Sequence, residues 1–409
     1  MINILCAEFV RNPFRVRHIQ AKPAKMKEYC NVCASELDKP VFVSVGGNSI
    51  TSMCQLLDGD TTIYLCRTCG HLKTQELPDL QKFYSLDYEI NINSEEDDQL
   101  YEVIGSKKKF RAEKQAELFL DKLELPDHAK ILDYGSAKGA TLRKICEKRL
   151  DVTPYLFDVT EKYISFWGKF ASPENWSCHS VRNEWKGLFD VITSFYAFEH
   201  IADLRGCLAT IHRLLNEKGI LYLMVPNVYM NIADFVVVDH VNHFCPESMR
   251  CLLAESGFAE ISIDETSFTA AFVVKATKTH TSSFPRSYFD LAKRQEKVLE
   301  ICRFWENIGG KIAKFENNTD DTTNAALYGA GFYGAFIFSQ LRHPWRVKCI
   351  IDENPFLQNT EMFDLPIFAP DDLPDSVSTV YVGLNPQNAE DIIAQTALIK
   401  SNRLKFMYL

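Results

Sequence analysis

Two cysteine pairs, Cys30-x-x-Cys33 and Cys66-x-x-Cys69, are separated by 32 residues, with Gly70 directly behind the second pair. Two hooks of this kind place four thiolates tetrahedrally around one Zn2+, and a glycine relieves the tight turn behind a hook. A thioredoxin-type redox pair needs a single CxxC on a βα turn, so the pattern points to a structural metal rather than to catalysis. Four thiolates close such a site, which leaves His71 beside it or exposed rather than ligating.

Acid–base chemistry has its best candidates in Val236-Val-Val-Asp239-His240-Val-Asn242-His243-Phe244. Two histidines three apart, beside an acid, offer a general base whose tautomer and charge a carboxylate sets. The same stretch also reads as a loop or helix start with a capping Asp and hydrogen-bonded histidines. A nucleoside site is suggested by Ile131-Leu-Asp133-Tyr-Gly135-Ser-Ala137-Lys-Gly139, an apolar strand ending in an acid and a glycine-containing turn. Small residues there let the backbone approach a nucleoside, and Asp158, at the end of the next strand, is placed to bind both ribose hydroxyls. Further on, Leu327-Tyr-Gly329-Ala-Gly331-Phe-Tyr-Gly334 is followed by Asp352, a GxGxxG-plus-acid pattern. Taken alone it is a second nucleotide site, for NAD(H); the alternative is glycines that pack a strand tightly against a helix.

These groups need elements to hold them. The 409 residues are too many for one ordinary core and suggest two or three domains. With 45 basic against 54 acidic residues the formal charge is −9, a poor footprint for nucleic-acid binding. The longest apolar stretch, 219–238, is broken by Pro226, Asn227, Asn231 and Asp234, so no membrane span is expected. Of 13 cysteines, four are paired and nine scattered, which fits a reducing, cytoplasmic setting. The first ten residues lack a secretory start, and the six Lys/Arg of 11–27 suggest a loose arm over 1–27, or a true start at Met26.

Residues 28–92 form a cysteine-bearing unit with short strands at VFVSV and TIYLC. An acidic run, 95–98, precedes a basic one, 107–109, and helical spacing over about 104–124 ends at Pro126. From 129 to 280 the strands KILDYG, PYLFDVT, FDVITSFYA and GILYLMVPN alternate with helices, among them Leu204–Leu215, closed by Asn216 and Gly219. Such alternation builds a parallel sheet covered on both faces. Residues 281–322 read as a helical connector, and 323–409 as a second α/β series.

At Asp133-Tyr-Gly135-Ser-Ala137-Lys-Gly139 the chain resembles class I S-adenosylmethionine-dependent methyltransferases, with Ala137 where glycine is usual. The likeness continues at FDVITSFYAFEHI, which ends in Glu199-His200, and at HRLLNEKGILYLMVPN. It implies that S-adenosylmethionine is held by Asp133, Gly135, Ala137, Gly139, Asp158, Glu199 and His200. The order of units further resembles the sugar C-methyltransferases of deoxysugar and surface-polysaccharide pathways. The fold this implies is α/β: a small zinc-binding N-terminal unit (28–92), a class I methyltransferase Rossmann-like core (93–280), the connector, and a second Rossmann-like C-terminal domain (323–409).

Asp239-His240-Val-Asn242-His243-Phe244 is similar to that family's Glu-His motif, with Asp for Glu and His for an aromatic, while the preceding Tyr-His is Val237-Val238 here. The resemblance implies that His240 is the general base, assisted by Asp239, with His243 alongside and no divalent ion required. It also implies that Tyr84, Tyr88, Asn242, Gly329, Gly331, Gly334, Asp352 and Asn385 face the substrate, and that structural zinc sits on Cys30, Cys33, Cys66 and Cys69. The expected reaction is methyl transfer to a nucleotide-linked keto sugar. A sugar O-methyltransferase, or a methyltransferase that also reduces with NAD(H), is the alternative. The expected partners are small molecules only, with neither nucleic acid nor membrane, in a monomer or weak homo-oligomer.

Overall fold

The computed structural model describes residues 27–44, 48–78, 94–105, 107–280, 290–320 and 323–409. Tyr84, Tyr88 and the arm 1–26 lie outside the described residues. The N-terminal part carries β1 (Phe42–Val43), β2 (Asn48–Ile50), β3 (Leu56–Asp58), β4 (Thr62–Leu65) and β5 (Leu72–Thr74). A hairpin of β6 (Leu100–Ile104) and β7 (Lys107–Phe110) then leads into α1 (Arg111–Lys122). The helix expected from 104 therefore starts seven residues later. Gly105, at φ +61°, turns the chain, and the lysine run forms an exposed-to-half-buried strand because it offers no apolar stripe.

The central unit consists of β8 (Lys130–Tyr134), α2 (Ala140–Lys148), β9 (Thr153–Asp158), α3 (Ile164–Trp167), β10 (Trp176–Cys178), β11 (Phe189–Phe195), α4 (Leu204–Leu214) and β12 (Leu215–Pro226). It is completed by β13 (Asn242–His243), α5 (Pro246–Glu255), β14 (Phe258–Asp264) and β15 (Ala271–Lys278). Seven strands form one sheet in the order β10-β9-β8-β11-β12-β15-β14. The first five are parallel, while β15 runs against both of its neighbours.

Ile131, Leu132, Ile192, Leu221 and Leu223 are fully buried, as strands covered on both faces require. On α4 the buried residues Leu204, Cys207, Leu208, Ile211 and Leu214 repeat every three to four positions, and Asp203 caps the helix by accepting from Gly206 N. No loop follows α4: Leu215 already pairs with Phe189, so the expected turn at 216–219 is drawn into the strand. Strand order reverses between β8 and β11, which opens a crevice at their C-terminal ends.

Past the centre, α6 (Leu291–Asn317) precedes β16 (Asn324–Tyr328), α7 (Phe332–Gln340), β17 (Val347–Ile351), β18 (Glu361–Met362), β19 (Leu365–Phe368), β20 (Val377–Val382), α8 (Ala389–Gln395) and β21 (Lys405–Tyr408). These strands make a second sheet, β18-β19-β17-β16-β20-β21. One hydrophobic cluster joins Phe42 and Ile50 of the N-terminal part, Phe235 of the centre, Trp305 of α6 and Phe336 of α7. Trp305 Nε1 also donates to the Ile232 carbonyl at 2.9 Å, so the three parts are packed on each other around the segment 232–243.

Candidate active site

The turn after β8 is built for close approach. Gly135 and Gly139 lie at φ +75° and +69°, and added Cβ atoms would come within 2.7 Å of Ala197 and 2.6 Å of Leu156. Ala137 also adopts the left-handed region, at φ +43°, against the preference of an L-residue. It is held there by three bonds: its N–H donates to Asp158 Oδ2 at 2.9 Å, its carbonyl accepts from Trp167 Nε1 at 2.6 Å, and Gly139 N donates to Ser136 O at 2.7 Å. Asp158, expected on the ribose, thus already supports the turn. Asp133 is buried and accepts from Thr193 Oγ1 at 2.8 Å; burial pushes its carboxyl up to about 7, against the pull of that hydroxyl. The acidic run closes over the same turn, since Lys138 Nζ donates to the carbonyls of Ser94 and Asp97 while Glu95 pairs with Arg143 and Lys169.

The histidines sit where β12 and β11 end. Asp234, in a short 3-10 turn (Ile232–Val236), is buried between them. Its Oδ1 accepts from His240 Nδ1 at 2.5 Å and its Oδ2 from His243 Nδ1 at 2.7 Å. Burial opposes the charge on Asp234, but the two imidazoles outweigh it and hold the carboxyl well below the usual range. Burial likewise opposes a charge on His240, yet Asp234, helped by Asp239 and Glu199, pushes it up to about 9. With Nδ1 donating to Asp234, a neutral His240 carries its lone pair on Nε2, the arrangement a general base requires.

Asp239, expected as the partner of His240, is bonded elsewhere. Its carboxylate accepts from Ser52 N at 2.7 Å and Ser52 Oγ at 2.6 Å, and lies 3.6 Å from His200 Nδ1. Sequence reading missed Asp234, although it is the other acid within ten residues of both histidines on their N-terminal side. Glu199 is 1% exposed, and burial pushes it up to about 8. His200 is pushed down to about 4 by burial and by the charge on His240, whose ring it meets edge-on at 4.6 Å.

The cysteine unit reaches this site directly. Cys30 and Cys69 sulfurs are 3.7 Å apart, those of Cys33 and Cys66 3.5 Å, and all four lie within 4.8 Å of one another. Four sulfurs at about 2.3 Å around zinc are about 3.8 Å apart, so the cluster fits a tetrahedral ion. The four-stranded sheet β1-β4-β5-β13 takes its last strand from the histidine loop, with Asn242 opposite Lys73 and His243 opposite Leu72. Thr74 Oγ1 donates to His243 Nε2 at 2.9 Å. Asn242, expected on the substrate, is buried with its amide engaged inside the protein. It accepts from Asn31 Nδ2 and His71 Nε2 at 2.9 and 3.2 Å, and donates to the carbonyls of Phe198 and Ile201 at 3.0 and 2.7 Å.

At the second glycine turn, added Cβ atoms on Gly329 and Gly334 would lie 2.5 Å from Gly383 O and 2.0 Å from Gly329 O, so strand–helix packing demands both glycines. Gly331 differs, since its Cβ direction meets nothing within 4 Å. Asp352 repeats the role of Asp158, accepting from Ala330 N at 2.8 Å, while Asn385 Nδ2 donates to Met230 O at 3.1 Å. The start of α7 reaches the histidines, with Phe332 edge-on to His240 at 6.1 Å.

The methyltransferase-domain family model matches residues 108–263, which hold the glycine turn after β8 and the whole histidine cluster. That match, with the strand order of the central sheet, marks residues 108–263 as an S-adenosylmethionine-dependent methyltransferase domain with an α/β class I core. No curated protein matches it. Solved structures similar to it include an S-adenosylmethionine-dependent methyltransferase from Aquifex aeolicus, 16% identical over 42% of this chain and 100% of that one, with a TM-score of 0.33. Another, from Archaeoglobus fulgidus, is 15% identical over 40% and 92%, with a TM-score of 0.35. The CurJ carbon methyltransferase is 16% identical over 41% of this chain and 54% of that one, with a TM-score of 0.34.

Proposed function

We propose that this enzyme methylates an activated sugar, nucleotide-linked and bearing a keto group, with His240 as general base and structural zinc on the four cysteines. The observation that carries the reading is the buried Asp234–His240 bond of 2.5 Å, which fixes Nδ1 as donor and leaves Nε2 to take a proton. S-adenosylmethionine, held by the turn 133–139, would supply an electrophilic methyl group. His240 removes the proton next to the sugar carbonyl, and the fixed loop aligns the resulting carbon nucleophile. The second glycine turn is read as part of the substrate cradle, because Gly331 presents open backbone on the α7 end that touches His240 through Phe332. None of the twelve described cysteines is in a disulfide, which supports a reducing, cytoplasmic setting.

Calorimetry with S-adenosylmethionine and its demethylated product, followed by methyl-transfer assays on thymidine- and guanosine-linked keto sugars, tests the reading. Turnover of one such sugar is expected; binding of the cofactor with turnover of none of them defeats the substrate assignment. Because His240 is held near 9, its neutral form grows with pH, so kcat/KM should rise up to tenfold per unit between pH 7 and about 9 in enzyme whose only metal is the zinc of the four cysteines. Replacement of Asp234 by Asn should shift that limb to lower pH as burial takes over. A limb at the same pH in both proteins would assign it to another group.

A further inference from the structure

We propose that Glu199, His200 and His240 form a binding site for one divalent transition-metal ion, distinct from the four-cysteine cluster. One ligand atom from each of the three lies within 4.8 Å of the others, close enough for a single ion to draw them together. The imidazoles are oriented as metal-binding histidines are. His240 Nδ1 donates to Asp234 at 2.5 Å and His200 Nδ1 to the Asp239 carbonyl at 3.2 Å, so Nε2 is the atom each ring offers. Glu199 supplies the independent sign of a ligand. It is 1% exposed, and among the described residues its Oε2 has no hydrogen-bond partner, a cost that a bound cation removes.

Two imidazoles and one carboxylate select Zn2+, Fe2+, Co2+ or Ni2+ over Mg2+ or Ca2+, and leave open positions for an oxygen of a small molecule. The ion and a proton would use the same nitrogen of His240, so the loaded site cannot also act as a base through that atom. The assignment stands on the geometry of the three ligands and does not depend on the base reading, although it concerns the same histidine.

The test is a Co2+ titration of full-length protein whose cysteine cluster is zinc-loaded, followed in the visible spectrum. The expected result is one further equivalent bound, with a d–d band but no sulfur-to-cobalt charge transfer, and at least tenfold weaker binding in Glu199→Gln and His200→Asn. A His212→Asn control should bind as the parent does, and equal zinc content and melting temperature show that the variants fold. No band beyond a cysteine-ligated one, or a band of equal affinity in Glu199→Gln, overturns the site. Methyl transfer by the Co2+-loaded protein separates the two ideas. A rate that falls with occupancy supports both the site and the base, whereas a rate that holds or rises supports the site and removes His240 as the base.

Discussion

Substitution of His240 by asparagine should lower kcat by about 10²–10⁴-fold, the range of a positioned proton acceptor, while changing S-adenosylmethionine affinity by less than about twofold. Asparagine retains an N–H that can donate to Asp234, so the carboxylate is not stranded and the loop keeps its path. What is lost is the ring nitrogen opposite, the atom that would accept the proton. The cofactor turn, 133–139, is built from β8, Asp158 and Trp167 and does not use His240. Loss confined to kcat and kcat/KM, with cofactor binding intact by calorimetry, is therefore the signature to look for. Unchanged turnover would take His240 out of the mechanism.

The second large effect should come from the other end of the chain. Removal of the metal from the four cysteines, by chelation or by Cys66→Ser, is expected to abolish turnover and leave S-adenosylmethionine binding measurable. Zinc contributes about 10–16 kcal/mol to small cysteine units of this kind, more than such a unit stores otherwise. β5, Asn31, Ser52 and Thr74 belong to that unit, and each holds a part of the loop that carries Asp239, His240 and His243. The cysteine unit shares the core on one face of the seven-stranded sheet, but the face that packs α1 and α2 has a core without it, so the turn that leads into α2 should survive. Released zinc, turnover and calorimetry on one sample decide the matter. Full turnover after stoichiometric zinc loss would show that the loop holds its shape alone.

The central strands were readable because burial on both faces leaves continuous apolar runs, and the cysteine hooks because spacing of two pairs specifies a tetrahedron. The glycine turns were readable for a similar reason, since backbone shape restricts residue type locally. Asp234 was not, because its role depends on a 3-10 turn that swings it back over residues six and nine positions ahead. Ser52, 187 residues from Asp239, gives no local signal at all. Val237 and Val238 are both buried, and Val238 N donates to Ile50 O at 2.8 Å, so this stretch docks by its backbone onto β2, a contact that no local signal foretells. The helix expected from 104 begins only at Arg111, because Gly105, at φ +61°, and three successive lysines form a hairpin in its place.

The edge of the cysteine-unit sheet has a consequence for the birth of the protein. β5 is closed by a strand that follows far along the chain, Thr74 and His243 being 169 positions apart. At about 5–20 residues per second, a ribosome leaves that edge open for roughly 10–30 s. Through that interval the nascent unit presents unpaired N–H and C=O groups, the surface on which chains recruit one another. Lys73, on β5, carries a charge at that rim, paired in the finished protein with Glu28 at 2.9 Å. The same residues that later seat the histidine loop thus spend the first moments of synthesis as an edge to be guarded.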